Sequence, residues 1–514
     1  MFRKLENKGI NGNFLNIIKS IYELTECAVK IDNKTTKYFR YEKGVQQGNP
    51  LSPLLFNLFI NDIFAAIKND SNLTLDGVNN LNALMYADDL IIMATSPEEL
   101  QKSLDGLSAY CAKWKLDVNV KKTKCLTFSK GSNCKKFQFK INHQVVENVK
   151  EYKYLGINVN AKNCSFGPSL INLSAKATRA LYAITSKLPV KNAPVRTLMK
   201  LFDFCVAPIL TYGSETWAAY LDYDSKSWDQ TPIEKCHTQF LKRLLGVNRS
   251  ATNVMVRSEF GRNSLQERIT KRNLKYIQYI SSKDDQSLVW HAMNYELTQI
   301  DKRKTIFSLF QRHGEKLLSF ADNLNIENTD ADPTILEKIN SIEDDKMHSS
   351  IKNCFNSLWK EEIADFPKAD TFRQFKGEVK FERYLEDVSI RKHRVSLSKL
   401  RISDHCLMIE RGRYSRPAIP RGERYCPHCP LKLEDEEHFL TQCTAYDRSS
   451  FFTDIDRSFP QFHRLDLHSK FIYLMSQEDK ALTKDFAGRV HRWLISRLEF
   501  EAQQKEIENA MSTI

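Results

Sequence analysis

The sequence predicts an α+β chain in three stretches. Strands and helices mix over residues 1–164, helices dominate beyond, and a small Cys/His-rich module occupies 411–450. Three observations carry this. Leu84-Met85-Tyr86 and Leu90-Ile91-Ile92-Met93 are short apolar runs either side of Ala87-Asp88-Asp89, the pattern of two buried strands joined by a tight turn. From about Ser165, apolar residues recur at helical spacing, as in Leu181, Ile184 and Leu188, then Leu198, Phe202 and Cys205. Only 17 glycines and 15 prolines occur in 514 residues, which suits a helix-rich chain, and 42% hydrophobic residues exclude wholesale disorder.

In chain order, residues 1–10 read as a helix and Gly44 to Pro53 as a glycine-containing loop. Ser52-Pro53 looks like an N-cap with proline at the first helical position, opening a helix apolar on almost every side and so expected to be buried. After the Asp-Asp turn, Ser96-Pro97-Glu98-Glu99 forms a capping box. It leads into a helix whose apolar face holds Leu100, Leu104, Leu107, Cys111 and Trp114. Leu116 to Val120 runs into Lys121-Lys122-Thr123-Lys124, and Tyr152-Lys153-Tyr154-Leu155-Gly156 is a further candidate hairpin. A helical region is expected over 165–321, an acidic linker over 322–346, a helical block over 347–410 and a C-terminal helical segment over 451–514.

Two constellations carry chemistry. Adjacent carboxylates at a turn raise each other's pKa unless a positive charge meets them, and a hard divalent ion such as Mg²⁺ suits Asp88 and Asp89. The bland alternative is a solvated hairpin tip. Cys426, Cys429, His438 and Cys443 follow the spacing Cys-x2-Cys-x8-His-x4-Cys. The first pair forms a knuckle and the second pair closes a tetrahedron, so all four positions of a structural Zn²⁺ would be filled. His428 is expected to point away, and Cys406 lies too far off in sequence. Arg411, Arg413, Arg421 and Arg424 alternate with Tyr414 and Tyr425, a mixture that suits phosphate contact and base stacking on a single strand. A solvated basic loop is the alternative. The net charge of +13 favours a polyanionic partner. No apolar run reaches about 18 residues and no signal peptide opens the chain. A soluble intracellular protein, nuclear or cytoplasmic and with no membrane partner, is therefore expected, with reduced cysteines.

The loop Gly44-Val45-Gln46-Gln47-Gly48-Asn49-Pro50, its helix and the Tyr86-Ala87-Asp88-Asp89 turn together resemble the palm of reverse transcriptases, more narrowly those of non-LTR (LINE-type) retrotransposons. The resemblance implies that Asp88 binds catalytic Mg²⁺ and Asp89 supports that site. It implies that Gln47 and Gly48 position template and incoming nucleotide, and that Tyr86 packs by the primer end. A lysine among Lys121, Lys122 and Lys124, taken as Lys124, would lie near the triphosphate, and Tyr154, Leu155 and Gly156 would grip the primer. Residues 165–321 would be the thumb, RNA and DNA the partners, and 411–450 the Cys/His motif found near the C-terminus of many such elements. Tyr212 to Trp217 and Glu259 to Arg262 resemble further family landmarks, to which no chemistry is assigned because packing explains them equally well. In the family the first palm aspartate stands in a Phe-Asp context before the segment equivalent to residues 1–10, and two-ion transfer needs carboxylates from two strands. The expectation is therefore the C-terminal part of a reverse transcriptase, inactive alone. The alternatives are a noncatalytic nucleic-acid-binding protein or a relic without selected function.

Overall fold

The computed structural model describes every residue except 24, 41–43, 68–72, 76–77, 79–80, 129–136, 162–164, 188–192, 219–220, 222–224, 299–334 and 512–514. Contacts group the chain into two units, Met1–Ser165 with Lys283–Thr298, and Phe166–Ser282 with Gln299–Ile514.

In the first unit, helices α1 (Phe2–Asn7), α2 (Gly12–Glu23) and α3 (Leu51–Ile60) close around Leu5, Leu15, Ile18, Tyr22 and Leu55. The start and the cover of α3 both differ from expectation. Asn49 Oδ1 accepts the Leu51 N–H at 2.9 Å, so the helix begins at Leu51. Ser52 lies inside it, buried, with its hydroxyl 2.9 Å from that of Tyr22. Only one face of α3 is covered, and Leu54 remains 56% exposed.

Strands β1 (Ala83–Tyr86) and β2 (Asp89–Ile92) pair antiparallel with Tyr86 opposite Asp89. Both strands were expected to be buried. Their period-two alternation instead sends Met85, Leu90 and Ile92 onto a core with Leu107, Tyr110 and Cys111, and leaves Leu84 and Tyr86 outward. That core belongs to α5 (Pro97–Trp114), which follows the short α4 (Ile63–Ala66). Ser96 caps α5 by accepting the Glu99 N–H at 3.2 Å, and Pro97 occupies its first turn. Gly106 lets α5 lie directly on α4, since a Cβ there would come within 2.1 Å of the Ala66 carbonyl oxygen. Strands β3 (Lys124–Cys125), β4 (Phe139–Ile141) and β5 (Gln144–Asn148) form a three-stranded sheet in the order β3-β5-β4, packed on Leu104. Strands β6 (Glu151–Tyr154) and β7 (Ile157–Asn160) make the next hairpin, turning through Leu155 (φ +45°) and Gly156 (φ +89°).

The second unit is helical in all its longer elements. It contains α6 (Gly167–Lys187), α7 (Val195–Leu201), α8 (Pro232–Leu245), α9 (Asn253–Glu259), α10 (Leu265–Ser281), α11 (Asp344–Ala364) and α12 (Arg391–Arg401). These are followed by α13 (Met408–Tyr414), α14 (Glu436–Thr441), α15 (Ser449–Ser458), α16 (Leu467–Met475) and the long α17 (Lys480–Met511). The acidic run expected as a linker over 322–346 is partly helical. Asp344 and Asp345 fill the first turn of α11, where carboxylates complement the helix dipole, and 335–340 is a short helix. The rest of that linker up to 334 lies outside the described residues. Among the described residues no helix is long and apolar enough to cross a membrane.

The two family-like landmarks are packing devices. Trp217 is fully buried and donates its indole N–H to the Tyr212 carbonyl at 2.8 Å. Gly261 (φ +64°) lets the chain approach Phe381, whose backbone nitrogen would lie 2.5 Å from a Cβ there.

Candidate functional site

The acid pair stands at the β1–β2 turn. Ala87 holds φ +52°, in the left-handed region that a two-residue hairpin turn demands and that a non-glycine residue enters at a cost. The turn displays both Asp88 and Asp89 to solvent beside Tyr86, which is 67% exposed. Tyr154, from the β6–β7 hairpin, lies close enough that, after burial, the Asp89 charge pushes its hydroxyl pKa up. The expected primer-grip hairpin and the acid pair thus share one neighbourhood.

Other predicted site residues are placed differently. Gln47 and Gly48 occupy an exposed turn closed by the Asn49 N–H on the Gln46 carbonyl, and Gly48 takes φ +87°. Lys124 sits in β3 and pairs with Glu147, its register partner on β5, at 2.5 Å. Its ammonium is therefore engaged within the sheet, whereas Lys121 and Lys122 stand exposed in the preceding turn. Among the described residues, one group of three or more Cys, His, Asp or Glu side chains could hold a metal ion, and it excludes Asp88 and Asp89. The described part of the first unit supplies a carboxylate pair, not a two-ion site.

That one group is Cys426, Cys429, His438 and Cys443, all buried, with ligand atoms within 4.8 Å of one another. Cys443 Sγ lies 3.7 Å from Cys426 Sγ and 3.9 Å from Cys429 Sγ. Sulfurs about 2.3 Å from one tetrahedral ion would stand roughly 3.8 Å apart, so the spacing fits. Asp435 caps α14 by accepting the His438 N–H at 2.8 Å, which sets the helix that carries the imidazole. Both ring nitrogens of His438 are buried with no hydrogen bond of normal geometry, so either could serve as a ligand atom. Burial holds that imidazole below its ordinary pKa and keeps it in the neutral, metal-binding form. His428 does point away, packing on Phe500 with ring centroids 4.1 Å apart.

Support around the cluster had no signal in the sequence. Arg448 is buried and donates to the carbonyls of Leu440 (2.7 Å), Tyr446 (2.7 Å), Phe439 (2.5 Å) and Cys443, wrapping the segment that bears the last ligand. Three thiolates and one divalent ion would carry net charge −1, which this guanidinium offsets. The Thr444 N–H reaches Cys429 Sγ at 3.5 Å. The module also shares its core with α17. Glu434 pairs with Arg497 at 2.5 Å with both side chains 3% exposed, and Phe439 meets Trp493 edge-on.

Of the four predicted nucleic-acid arginines, one is withdrawn from the surface and three are ion-paired. Arg424 is buried, donating to the carbonyls of Ile409 at 2.7 Å and Ile419 at 3.0 Å, so it cannot serve an exposed interface. Arg411 pairs with Glu501, Arg413 with Glu410 and Arg421 with Asp370.

Residues 1–159 match the family model described as reverse transcriptase (RNA-dependent DNA polymerase). The chain is 26% identical over 179 residues to the Pol polyprotein of the type-1 retrotransposable element R2 of Nasonia vitripennis, covering 33% of this chain and 17% of that one. It is 28% identical over 213 residues to the probable RNA-directed DNA polymerase from transposon BS of Drosophila melanogaster (40% and 23%). It is 25% identical over 221 residues to the RNA-directed DNA polymerase from mobile element jockey of Drosophila funebris (40% and 23%). Over about a third of its length, the chain is thus similar to the reverse transcriptases of non-LTR, LINE-type retrotransposons. It spans less than a quarter of the length of these three relatives.

Proposed function

We propose that the first unit carries the palm of an RNA-directed DNA polymerase of a non-LTR retrotransposon, and that the second carries a structural zinc site at Cys426, Cys429, His438 and Cys443. The observation that carries the first part is the Asp88–Asp89 hairpin within a segment matching the reverse-transcriptase family. In this reading Asp88 and Asp89 belong to the nucleotidyl-transfer site, Tyr86 and the Tyr154 hairpin flank the primer end, and RNA and DNA are the partners. Transfer through two divalent ions needs carboxylates from two strands to hold the ions about 4 Å apart. The described carboxylates build only one side of such a site, so no catalytic step is assigned to the 514-residue chain alone.

Zinc, when bound, would supply a crosslink that contributes directly to folding. The protein's part is to hold three thiols and a neutral imidazole at tetrahedral spacing, with Arg448 and Thr444 orienting them. A second reading, a noncatalytic nucleic-acid binder, is favoured because the one metal-capable group among the described residues is this Cys/His cluster and not the acid pair.

Primer extension separates the two. The full chain, given an RNA template, a DNA primer and Mg²⁺ or Mn²⁺, is expected to extend nothing above background. Extension that vanishes with Asp88→Ala would show that another carboxylate completes the site and would restore the polymerase reading for this chain alone.

A further inference from the structure

Helices α12 and α17 pack along one another in the second unit and leave a groove of about 780 Å³. Its apolar lining is Val395, Leu494, Ile495 and Leu498, with Ile495 and Leu498 over 40% exposed. Its cations are Arg391, Lys392, Lys399 and Arg411. Of the two carboxylates in the lining, Glu501 is taken by Arg411, and Asp404 is buried, accepting from the Asn248 N–H and side-chain amide at 2.8 and 2.9 Å. Among the described residues, Arg391, Lys392 and Lys399 form no ion pair. The charge is concentrated further alongside. His393 and His491 stand 5.2 Å apart, and after burial the nearby Lys392 and Arg492 hold both imidazoles below their ordinary pKa. No acid occupies the first turn of α12, so its positive dipole end adds to the excess.

We infer that this groove binds a single-stranded nucleic-acid segment, with Arg391, Lys392 and Lys399 on its phosphates and the exposed apolar surface of α17 against its bases. The inference rests on the reading that this chain handles nucleic acid, and adds a site that neither the acid hairpin nor the Cys/His cluster includes. Two features choose the occupant. Seven or eight residues of helix separate Lys399 from Lys392 and Arg391, roughly 10–12 Å of axial rise, so one phosphate cannot serve all three and a chain of regularly spaced anions can. Apolar surface between the cations suits base faces, which are hidden in a duplex and absent from an acidic peptide.

The test is fluorescence anisotropy of the full chain with labelled single-stranded oligo(dT) and oligo(U), from about 50 to about 200 mM salt. Wild type is expected to bind with a steep salt dependence. The triple variant Arg391→Ala, Lys392→Ala, Lys399→Ala should weaken binding at least tenfold. It should also flatten the logarithmic salt slope by about two, as losing three single-strand phosphate contacts requires. Leu498→Ala should weaken binding several-fold with the slope unchanged. Removing equal charge from exposed α11 positions (Lys346→Ala, Lys352→Ala, Lys360→Ala) should leave both quantities as in wild type, and circular dichroism checks that each variant is folded. Wild-type binding that the groove variant retains would overturn this site and leave the proposed function standing. No wild-type binding at low salt would sink both. Equal displacement of the oligonucleotide by polyglutamate would show recognition of bare charge, and would overturn the groove as a nucleic-acid site.

Discussion

Arg401 grips Glu259 through two hydrogen bonds, Nε to Oε2 at 2.9 Å and Nη2 to Oε1 at 3.0 Å, with the side chains 4% and 0% exposed. The pair ties α12 to the end of α9 across 142 residues of sequence. Glu382 also faces Arg401 at 3.0 Å, and the Tyr384 hydroxyl donates to Glu259 at 2.7 Å, so nearly every charge in the cluster is met. Removing Arg401 leaves the Glu259 carboxylate buried without a cation, whereas removing Glu259 leaves Arg401 its contact with Glu382.

Arg401→Met should therefore destabilise the chain by about 3–5 kcal/mol, read as a fall in the urea midpoint of its transition. Glu259→Gln should cost less, because Glu382 still meets the guanidinium. The double variant should cost clearly less than the sum, with a coupling on the order of 2 kcal/mol. Simple additivity of the two losses would show that the contact is incidental.

Metal content tests the Cys/His cluster. Purified protein is expected to carry about one zinc per chain by elemental analysis. Cys429→Ser and His438→Ala should lose it, and should lose protection from proteolysis around residues 420–450. Full metal content in both variants would mean that other side chains are the ligands.

Acid stability should report on Glu234, which is fully buried among Trp228, His237, Arg257 and the Leu265 N–H. Burial alone would raise its pKa. The contacts of His237, Arg257 and Leu265 overcome that and hold it at about 2, below the 4.5 of a free glutamate. A depressed folded-state pKa stabilises the fold above the unfolded value. That contribution, up to about 3 kcal/mol, is lost as pH falls from about 4.5 towards 2. Wild type should lose urea resistance between about pH 5 and pH 3, and Glu234→Gln should be weaker at neutral pH and flatter across that window. The same acid slope in both proteins would assign the effect to other carboxylates.

What was legible in the sequence was whatever is local. The Ser96 cap, the Asp-Asp hairpin, the Cys-x2-Cys knuckle and the switch to helix near residue 165 each depend on neighbours a few residues apart. Burial depended on distant partners and was misjudged. The helix after the glycine loop looks core-like in sequence, yet α1 and α2 cover one of its faces and leave Leu54 exposed. Arg424 looks like a surface base in a run of basic residues, but sits beneath Gly412, where any Cβ would meet its side chain at 2.8 Å. Arg448 carries no such signal either, since nothing near it in sequence announces that four carbonyls will turn towards it. The acidic run at 343–345 reads as a solvated linker until its role at the start of α11 is seen.

The sharing of one core by the Cys/His cluster and α17 has a genetic consequence. A nonsense codon just ahead of Trp493 would leave all four ligand codons intact, yet remove Trp493, Arg497 and Phe500 from around them. The shortened product would lose the cluster without losing a single ligand. The cluster is thus a rivet through the end of the chain, not a bead strung along it, and copies of this gene frayed at their 3′ end would encode motif-complete but metal-free proteins.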